Sequence, residues 1–350
     1  MKTTKRLNIY IAWDIGGAYT KFAIETNSQI KCYIQKCELW KDLSELKSLI
    51  SNVSNRYKNK KIIHLITMSG EMCDIFDNRN IGVKNLINIF KKLSSSSYVL
   101  QHNCSLINIK SNEYAYDNIA SMNWIATSKF LTDKIDNAIA LDIGSTTTDI
   151  ILIKNKKLIN KRKDDITGLS NHELLYSGIF RTPIYALTQE IKYKNTIYKI
   201  IPENFANMSD IYRILSYLHP KYDYSITSDN RSKSMINSMK RLCRVFGFDY
   251  HESKKNLLFS LCKQIITIHI NHISSNIKYH LKKYKNISDY KIIGAGVGKF
   301  LVKIICKRNN WRYLDFDDFC EHKIIGTYKP SDIAPAYSLI YLVKKNYDDF

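Results

Sequence analysis

The pattern of apolar and polar positions along the chain predicts two similar β-hairpins. The opening segment LNIYIAWDIGGAYTKFAIE, residues 7–25, is an apolar run interrupted at Gly16 and Gly17, which predicts a strand, a tight turn and a second strand. The segment AIALDIGSTTTDIILIKN, residues 138–155, has the same pattern. A hairpin therefore opens the chain, and a second one recurs near its middle.

Other segments have the spacing of helices or of buried strands. Helical spacing covers SELKSLISNVSNRY, NIGVKNLINIFKKLSS and YDNIASMNWIATSKFLTDKI, and KKIIHLITMSG is predicted to be a buried strand that ends in a loop. A long helix is expected near Asn256 to Lys285, and YKIIGAGVGKFLVKIICKR predicts a strand, a glycine turn and a helix. RYLDFDDF is expected to form a short strand with an acidic end. The apolar segment APAYSLIYLVKKN is predicted to be a helix with Pro335 in its first turn, where no N–H is needed.

The two hairpins correspond residue by residue. Asp14 matches Asp142, Ile15 matches Ile143, Gly16 matches Gly144, Gly17 matches Ser145 and Thr20 matches Thr148. Matched positions are 128 residues apart, which is too far for a solenoid repeat. The spacing suits a duplicated α/β lobe in which each half presents a similar turn.

The residue types in these turns are those that bind phosphate. Glycine lets backbone N–H groups approach an anion, hydroxyls add donors, and an aspartate at a strand end can hold hydrated Mg²⁺. The third glycine turn precedes a helix, whose N-terminus also favours anions. We expect a diphosphate or nucleotide to be bound by Asp14, Gly16, Gly17, Thr20, Lys21, Gly144, Ser145, Thr146, Thr148, Gly294, Gly296 and Gly298, with Asp14 and Asp142 as ligands of Mg²⁺.

The alternation of side chains along a strand separates the hydroxyls of the second turn. Thr146 and Thr148 should share one side and Thr147 the other. We therefore expect Ser145, Thr146 and Thr148 to contact phosphate while Thr147 serves the sheet.

Composition and charge exclude several classes of protein. The 350 residues carry a net charge of +21, but the excess is spread along a chain rich in Asn and Ile, so we do not expect nucleic-acid binding. No apolar run is long enough for a membrane span, and we expect a cytoplasmic protein. The eight cysteines form no CxxC pair and are expected to be reduced. His269, His272 and His280 lack an acidic or thiol partner at ligand spacing, so zinc is not expected.

These motifs resemble those of a known superfamily. DIGGAYTK, LDIGSTTTD and IIGAGVGKFL resemble the two phosphate motifs and the adenosine motif of the acetate and sugar kinase, heat-shock ATPase and actin superfamily. Within it, the chain resembles the hydantoinase A/oxoprolinase branch. The narrower similarity is to the one-carbon-transfer proteins of tetrahydromethanopterin-using organisms, which are related to the archaeal synthase of methanofuran biosynthesis. This similarity spans nearly the whole chain and includes TMSGEMCDIF, NWIATS, YSGIFRTP, ENFANMSDIYRIL and APAYSLI.

The resemblance implies a fold and a domain organisation. The fold class is α/β, two-lobed and duplicated, of the actin-like ATPase and ribonuclease H-like type, with a phosphate-binding cleft between the lobes. The expected first lobe comprises residues 1–134 together with 331–350, and the second comprises residues 135–330 with a Tyr-rich insertion at about 167–285.

The resemblance also implies a reaction in the biosynthesis of a methanofuran or methylofuran type of cofactor. A transferase would condense an aminomethyl-furan-methyl diphosphate with the phenol of a glutamyl-tyramine, tyramine or tyrosine and release pyrophosphate. The expected partners are therefore a small-molecule diphosphate and a phenolic amine. An ATP-dependent hydantoinase- or oxoprolinase-like hydrolase, a small-molecule kinase and a non-catalytic nucleotide-binding scaffold remain alternatives, and ATP remains a possible ligand.

Several residues have more than one interpretation. Asp142, Asp149, Glu71 and Asp74 are the catalytic candidates, the last three as the base for the phenol proton, and Arg181 and Asn123 are candidates for substrate binding. The first hairpin has Lys21 where the second has Asp149. Only the second hairpin therefore has an aspartate at this position in addition to the one before its glycine turn. Glu71 could instead begin a helix, Arg181 could form a surface ion pair, and Asn123 could serve only to hold the two lobes together. Cys73 is expected to be packed rather than nucleophilic.

Overall fold

The computed structural model describes residues 8–111, 114–284 and 290–346, so the expected parts of the lobes at 1–7, 112–113, 285–289 and 347–350 lie outside it. Within the described residues the strands are β1 Ile9–Ile15, β2 Tyr19–Thr26, β3 Gln29–Lys36, β4 Ile62–Met68, β5 Ser96–Leu100, β6 Leu106–Asn108, β7 Ala138–Ile143, β8 Thr148–Lys154, β9 Lys157–Leu158, β10 Leu174–Leu175, β11 Glu190–Tyr193, β12 Thr196–Lys199, β13 Lys291–Ala295, β14 Tyr313–Asp315 and β15 Lys323–Ile325. The helices are α1 Ser44–Asn55, α2 Arg79–Lys91, α3 Asn123–Thr132, α4 Asp165–Ser170, α5 Met208–Ile214, α6 Met235–Val245, α7 Lys255–Lys283, α8 Lys299–Asn309 and α9 Ala334–Asn346.

The chain divides into two compact units whose bounds differ from the expected lobes. The first unit takes residues 1–138, 151–168 and 314–350, and the second takes 139–150 and 169–313. Residues 151–168 belong to the first unit because their side chains pack there. The guanidinium of Arg162 lies 5.2 Å from the ring centre of Trp124, and Asp165 pairs with Arg79 at 3.0 Å.

The first unit is built on a seven-stranded sheet in the order β15-β3-β2-β1-β4-β5-β6. Strand β1 pairs antiparallel with β2 and parallel with β4, so the opening hairpin stands beside a strand that runs in its own direction. One face of this sheet buries an apolar cluster that includes Trp13, Ile15, Phe22 and Met68. Helix α9 packs against β1, β2 and β4, and Lys344 pairs with Glu25 on the other face.

The second sheet contains the second hairpin. Its order is β10-β8-β7-β13-β14, with β9 pairing with β8. As in the first sheet, the two strands of a hairpin, here β7 and β8, lie beside a strand from later in the chain, here β13. The long helix α7 contributes buried apolar residues such as Leu258, Ile265 and Ile273. Strands β11 and β12 form a separate two-stranded sheet.

Two predicted features differ from the structure. The helix predicted over residues 116–135 is reduced to α3, because Ser121 adopts a left-handed backbone with φ of 55° that a helix cannot contain. Strand β3 was not predicted at all. It pairs with β2 on one side and β15 on the other.

All eight cysteines are free thiols, in agreement with the sequence prediction. No group of three His, Cys, Asp or Glu side chains among the described residues could hold a metal ion. In the same part of the chain, every helix is too short or too polar to cross a membrane.

Candidate active site

The two hairpin turns close with the same backbone hydrogen bond. In the first unit the N–H of Gly16 donates to the carbonyl oxygen of Tyr19 at 3.1 Å, and in the second unit the N–H of Gly144 donates to that of Thr147 at 2.9 Å. These residues occupy matched positions in the sequence alignment. The correspondence between the hairpins is therefore present in the backbone as well as in the residue types.

The residue before each glycine turn accepts a backbone hydrogen bond from a glycine in a later loop. The N–H of Gly70 donates to the carbonyl oxygen of Ile15 at 2.9 Å, and the N–H of Gly298 donates to that of Ile143 at 2.9 Å. Gly298 was predicted from its motif, whereas Gly70 was not. The loop after β4 thus corresponds to the glycine turn after β13, a relationship that the sequence SG alone does not reveal.

Asp14 shares one face of the first sheet with two neighbours. Strand register places Lys21 of β2 and Thr67 of β4 directly beside it. Thr67 is buried, and its hydroxyl has no hydrogen-bond partner within the described residues. Thr67 was missed by the sequence analysis, and its hydroxyl is a donor close to the expected phosphate site.

Thr20 does not have the expected orientation. It pairs with Ile15 and therefore lies on the face opposite to Asp14, where the apolar cluster is buried. The side chain is fully buried. Its hydroxyl has no hydrogen-bond partner within the described residues, and its assignment to phosphate binding stays a prediction.

The first turn is closely packed on the loop after β4. A Cβ at Gly17 would lie 2.8 Å from Sγ of Cys73, and one at Gly16 would lie 2.8 Å from the carbonyl oxygen of Tyr19. Both glycines are therefore required by space. Cys73 is half-buried against the turn, as expected for a packed thiol.

Glu71 is a buried carboxyl group of the first unit. Its Oε1 accepts a hydrogen bond from the hydroxyl of Ser121 at 2.7 Å, and Oε2 has no hydrogen-bond partner within the described part of the chain. Burial raises its pKa above the usual range, and the Ser121 hydrogen bond opposes this only in part. The alternative that Glu71 begins a helix is wrong, because α2 begins at Arg79.

The other candidates of the first unit are more exposed. Asp74 lies in the exposed loop after Glu71. Asn123 is the first residue of α3, and its Oδ1 accepts from the N–H of Trp124 at 3.0 Å. Asn123 is thus joined to Glu71 through the short segment that contains Ser121, but no hydrogen bond between them is present.

In the second unit, a loop from the motif YSGIFRTP lies directly on the STTT turn. The N–H groups of Phe180 and Arg181 donate to the carbonyl oxygen of Ser145 at 3.0 and 2.9 Å, and that of Ile179 donates to Gly144 at 3.0 Å. A Cβ at Gly178 would lie 2.6 Å from the peptide between Ser145 and the next residue. The loop and the turn therefore form one rigid backbone assembly, which we call the turn assembly (residues 142–148 and 177–182).

The hydroxyls of the STTT turn differ in their burial and in their hydrogen-bond partners. The hydroxyls of Ser145 and Thr146 lie 3.3 Å apart on half-buried side chains, where a ligand could reach them. Thr148 is fully buried, and its hydroxyl donates to the carbonyl oxygen of Ser177 at 2.6 Å. The hydroxyl of Thr148 therefore holds the neighbouring loop, and its expected contact with phosphate stays a prediction. Thr147 is half-buried and closes the turn through its carbonyl.

The third glycine turn packs against the second hairpin. Gly296 has a φ of +77°, and Gly298 approaches the side chains of Ile143 and Ile179 so closely that a Cβ would lie 2.5 Å from the first and 2.7 Å from the second. Gly294 has a different role. It lies within β13, where a Cβ would meet the ring of Tyr313 at 2.8 Å, so packing explains the glycine there, and its assignment to phosphate binding stays a prediction.

The carboxylates of the second unit suit a hard cation that a substrate helps to bind. Asp142 and Asp149 are both largely buried, at the end of β7 and near the start of β8. Mg²⁺ prefers carboxylate oxygens and often takes only one or two of them, with water and substrate phosphates completing its shell. Asp142 therefore fits a Mg²⁺ that arrives with a diphosphate. Arg181 belongs to the turn assembly, where its N–H bonds the carbonyl of Ser145, and the residue is exposed.

The fold agrees with the expected α/β class. Acetone carboxylase in its nucleotide-free structure is similar to this chain with a TM-score of 0.50 and 10% sequence identity, over 84% of this chain and 66% of that chain. The hydantoinase/oxoprolinase family model matches residues 65–324. The chain belongs to the hydantoinase/oxoprolinase family.

Two archaeal relatives carry the same descriptive name, (4-{4-[2-(gamma-L-glutamylamino)ethyl]phenoxymethyl}furan-2-yl)methanamine synthase. The protein of Methanocaldococcus jannaschii is 31% identical over 286 residues, which cover 81% of this chain and 84% of the relative. The protein of Methanococcus vannielii is 34% identical over 180 residues, covering 50% of this chain and 78% of the relative.

Proposed function

We propose that this protein is a transferase of methanofuran-type cofactor biosynthesis that forms an aryl ether between a phenol and a furan-methyl group. The observation that carries the proposal is the 31% identity, across 84% of its length, to a synthase whose named product contains a phenoxymethyl-furan. In that product the phenol oxygen is bonded to the methylene carbon of the furan. The proposed acceptor is a tyramine, tyrosine or glutamyl-tyramine phenol.

The proposed donor carries its furan-methyl group as a diphosphate. The bond between the methylene carbon and the diphosphate oxygen breaks, the bond between that carbon and the phenol oxygen forms, and pyrophosphate leaves with the electron pair. The phenol proton passes to a protein carboxylate. A furfuryl carbon ionises readily because the ring oxygen donates electron density, so the main requirement is stabilisation of the negative charge on the departing pyrophosphate.

The turn assembly supplies donors for that charge. It contains the hydroxyls of Ser145 and Thr146, and also Arg181, whose N–H bonds the carbonyl of Ser145. In the first unit, Lys21 and the hydroxyl of Thr67 flank Asp14. A Mg²⁺ bound by Asp142 or Asp14 would supply further neutralisation of the diphosphate.

The base is proposed among Glu71, Asp149 and Asp74. Glu71 has the strongest case, because burial raises its pKa and makes its carboxylate a stronger base for the phenol proton. Asp149 is largely buried at the start of β8, whereas Asp74 is exposed. Substitution of each by its amide would rank the three.

The decisive experiment measures pyrophosphate release and ether formation from a furan-methyl diphosphate and tyramine or glutamyl-tyramine, with Mg²⁺ present. We expect product only when both substrates are present, and much less product from the Asp142→Asn variant. In a parallel assay, ATP replaces the furan donor. ATP hydrolysis or phosphoryl transfer without ether formation would overturn the proposal in favour of a hydrolase or kinase, and tight ligand binding with no turnover would favour a scaffold.

A further inference from the structure

A buried chain of three side chains connects the core of the second unit to the turn assembly. The hydroxyl of Tyr212 on α5 lies 2.7 Å from Nδ1 of His269 on α7. The other ring nitrogen of His269, Nε2, lies 2.8 Å from the hydroxyl of Ser177. All three residues are fully buried, so these hydrogen bonds are not in exchange with bulk water.

His269 bonds both hydroxyls at the same time. Within the described residues it is the hydrogen-bond partner of the hydroxyl of Tyr212 and of the hydroxyl of Ser177. A neutral imidazole has one donor nitrogen and one acceptor nitrogen, so the ring donates to one hydroxyl and accepts from the other. Burial lowers the pKa of His269 to about 3, so the ring stays neutral near pH 7.

Ser177 connects these three hydrogen-bonded side chains to the STTT turn. Its carbonyl oxygen accepts the hydroxyl of Thr148, and the next residue, Gly178, has its Cα against the peptide that follows Ser145. The N–H of Gly178 donates to the hydroxyl of Thr182 at 2.8 Å, which closes the loop. A small displacement of Ser177 would therefore move the backbone that holds Ser145.

We propose that His269 is a positioning residue for the anion-binding turn assembly. It does not touch substrate, since it is buried behind Ser177. Its Nε2 holds the hydroxyl of Ser177 by a hydrogen bond, and Ser177 holds the loop at residues 177–182 in place. That loop in turn positions the carbonyl of Ser145 and the hydroxyls beside it. The identity of the anion as a diphosphate rests on the proposed function, whereas the positioning itself does not.

The test uses four variants of the full chain. His269→Leu removes both ring nitrogens, and His269→Gln keeps an amide group that can bond the hydroxyl of Ser177 from the position of Nε2. Ser177→Ala removes the hydroxyl that His269 bonds, and it replaces His269→Leu in the test if that variant does not fold. His272→Gln is the matched control, because His272 lies one turn further along the same helix on an exposed position.

The first readout is amide hydrogen exchange of Ile179, Phe180 and Arg181, whose N–H groups bond to the turn. We expect exchange at these amides to become about tenfold faster in His269→Leu and Ser177→Ala, the effect of losing one buried hydrogen bond, and to recover most of the way in His269→Gln. Amides of α6 should keep their protection. Equal acceleration throughout the second unit would show a merely structural role and overturn the proposal, and so would unchanged exchange in both variants.

The second readout is the dissociation constant of pyrophosphate with Mg²⁺, measured by calorimetry. We expect about tenfold weaker binding in His269→Leu and binding close to wild type in His269→Gln and His272→Gln. Equal affinity of all variants for pyrophosphate would overturn the positioning role. If the wild-type protein binds no pyrophosphate, the proposed function fails while the exchange experiment still decides the role of His269.

Discussion

Gly296 lies directly against the carboxylate of Asp142. A Cβ at Gly296 would stand well within 3.0 Å of Oδ1 of Asp142 and of the carbonyl oxygen of Ile143, and its φ of +77° disfavours any L side chain. The glycine turn after β13 therefore sets the position of the aspartate at the end of β7. This contact explains why two segments far apart in the sequence are both needed for one anion site.

We expect Gly296→Ala to lower both stability and activity, because the methyl group must displace the carboxylate of Asp142. The strained backbone should cost about 1–2 kcal/mol and the overpacking a further 1–3 kcal/mol. Gly326→Ala is the matched control, since Gly326 has a φ of +106° but no atom within 4 Å of its Cβ position. Urea unfolding and the pyrophosphate-release assay would measure both effects. A Gly296→Ala enzyme as stable and active as Gly326→Ala would contradict this account.

We expect Asp14→Asn and Asp142→Asn each to reduce activity much more than stability. If the carboxylates act on the departing pyrophosphate, the loss should be about 2.7–4 kcal/mol of transition-state stabilisation, or roughly 10²–10³ in kcat. Asp136→Asn is the control, because Asp136 forms an exposed ion pair with Lys156 at 3.6 Å, a type worth little. Steady-state kinetics and thermal melting would separate the effects. Unchanged kinetics in both variants would make the two turns structural.

The hydroxyls of the STTT turn should now rank differently from the order that the sequence suggested. We expect Thr146→Val to weaken pyrophosphate binding by about 1–3 kcal/mol without changing stability, since it removes a half-buried donor. Thr148→Val should lower the free energy of unfolding by about 1–3 kcal/mol, because the carbonyl of Ser177 loses its donor. Thr147→Val should change neither quantity much. Calorimetry and urea unfolding test this order, and a Thr148→Val protein of unchanged stability would refute it.

Local features of the sequence predicted the hairpins and the glycine turns, because strand periodicity and glycine act within a few residues. The facing of Thr148 could not be predicted, since it depends on a loop that begins 29 residues later. The contact between His269 and Ser177 joins residues 92 positions apart, and a histidine among apolar helix residues gives no signal of its partner. Thr67 was missed because threonine is common in strands, so its presence in a buried strand gives no signal of a functional role.

Stability should fall as the pH is lowered from 6.5 towards 4. The N–H of Trp13 donates to Nδ1 of His64 at 3.0 Å, and burial lowers the pKa of His64 to about 4. Between this value and the unfolded value of about 6.5, the unfolded state binds more protons, so the free energy of unfolding falls by up to about 1.4 kcal/mol per pH unit. His269 adds a second contribution of the same sign. Unfolding measured at several pH values should show a smaller slope in His64→Phe, and an unchanged slope in the exposed-site control His251→Ala.

Glu71 should have the opposite pH dependence. Burial favours its neutral form, so the pKa of the folded state is raised, and the stability that this provides is present at low pH and lost as the pH rises from the unfolded value through the folded one. Glu71→Gln keeps an oxygen for the hydroxyl of Ser121 but cannot ionise. We therefore expect the variant to gain stability relative to wild type as the pH increases, measured by urea unfolding at pH 5 and pH 8.

Activity of the same variant decides the role of Glu71. If Glu71 accepts the phenol proton, Glu71→Gln should be nearly inactive although it is more stable at pH 8, because an amide is not a base. A variant that is both more stable and fully active would remove Glu71 from the reaction and leave Asp149 and Asp74 as the candidate bases. Rates of Glu71→Gln, Asp149→Asn and Asp74→Asn, measured at saturating phenol at pH 5 and pH 8, would then identify the base. Since Asp74 is exposed and Asp149 largely buried, we expect Asp149→Asn to show the larger loss of the two.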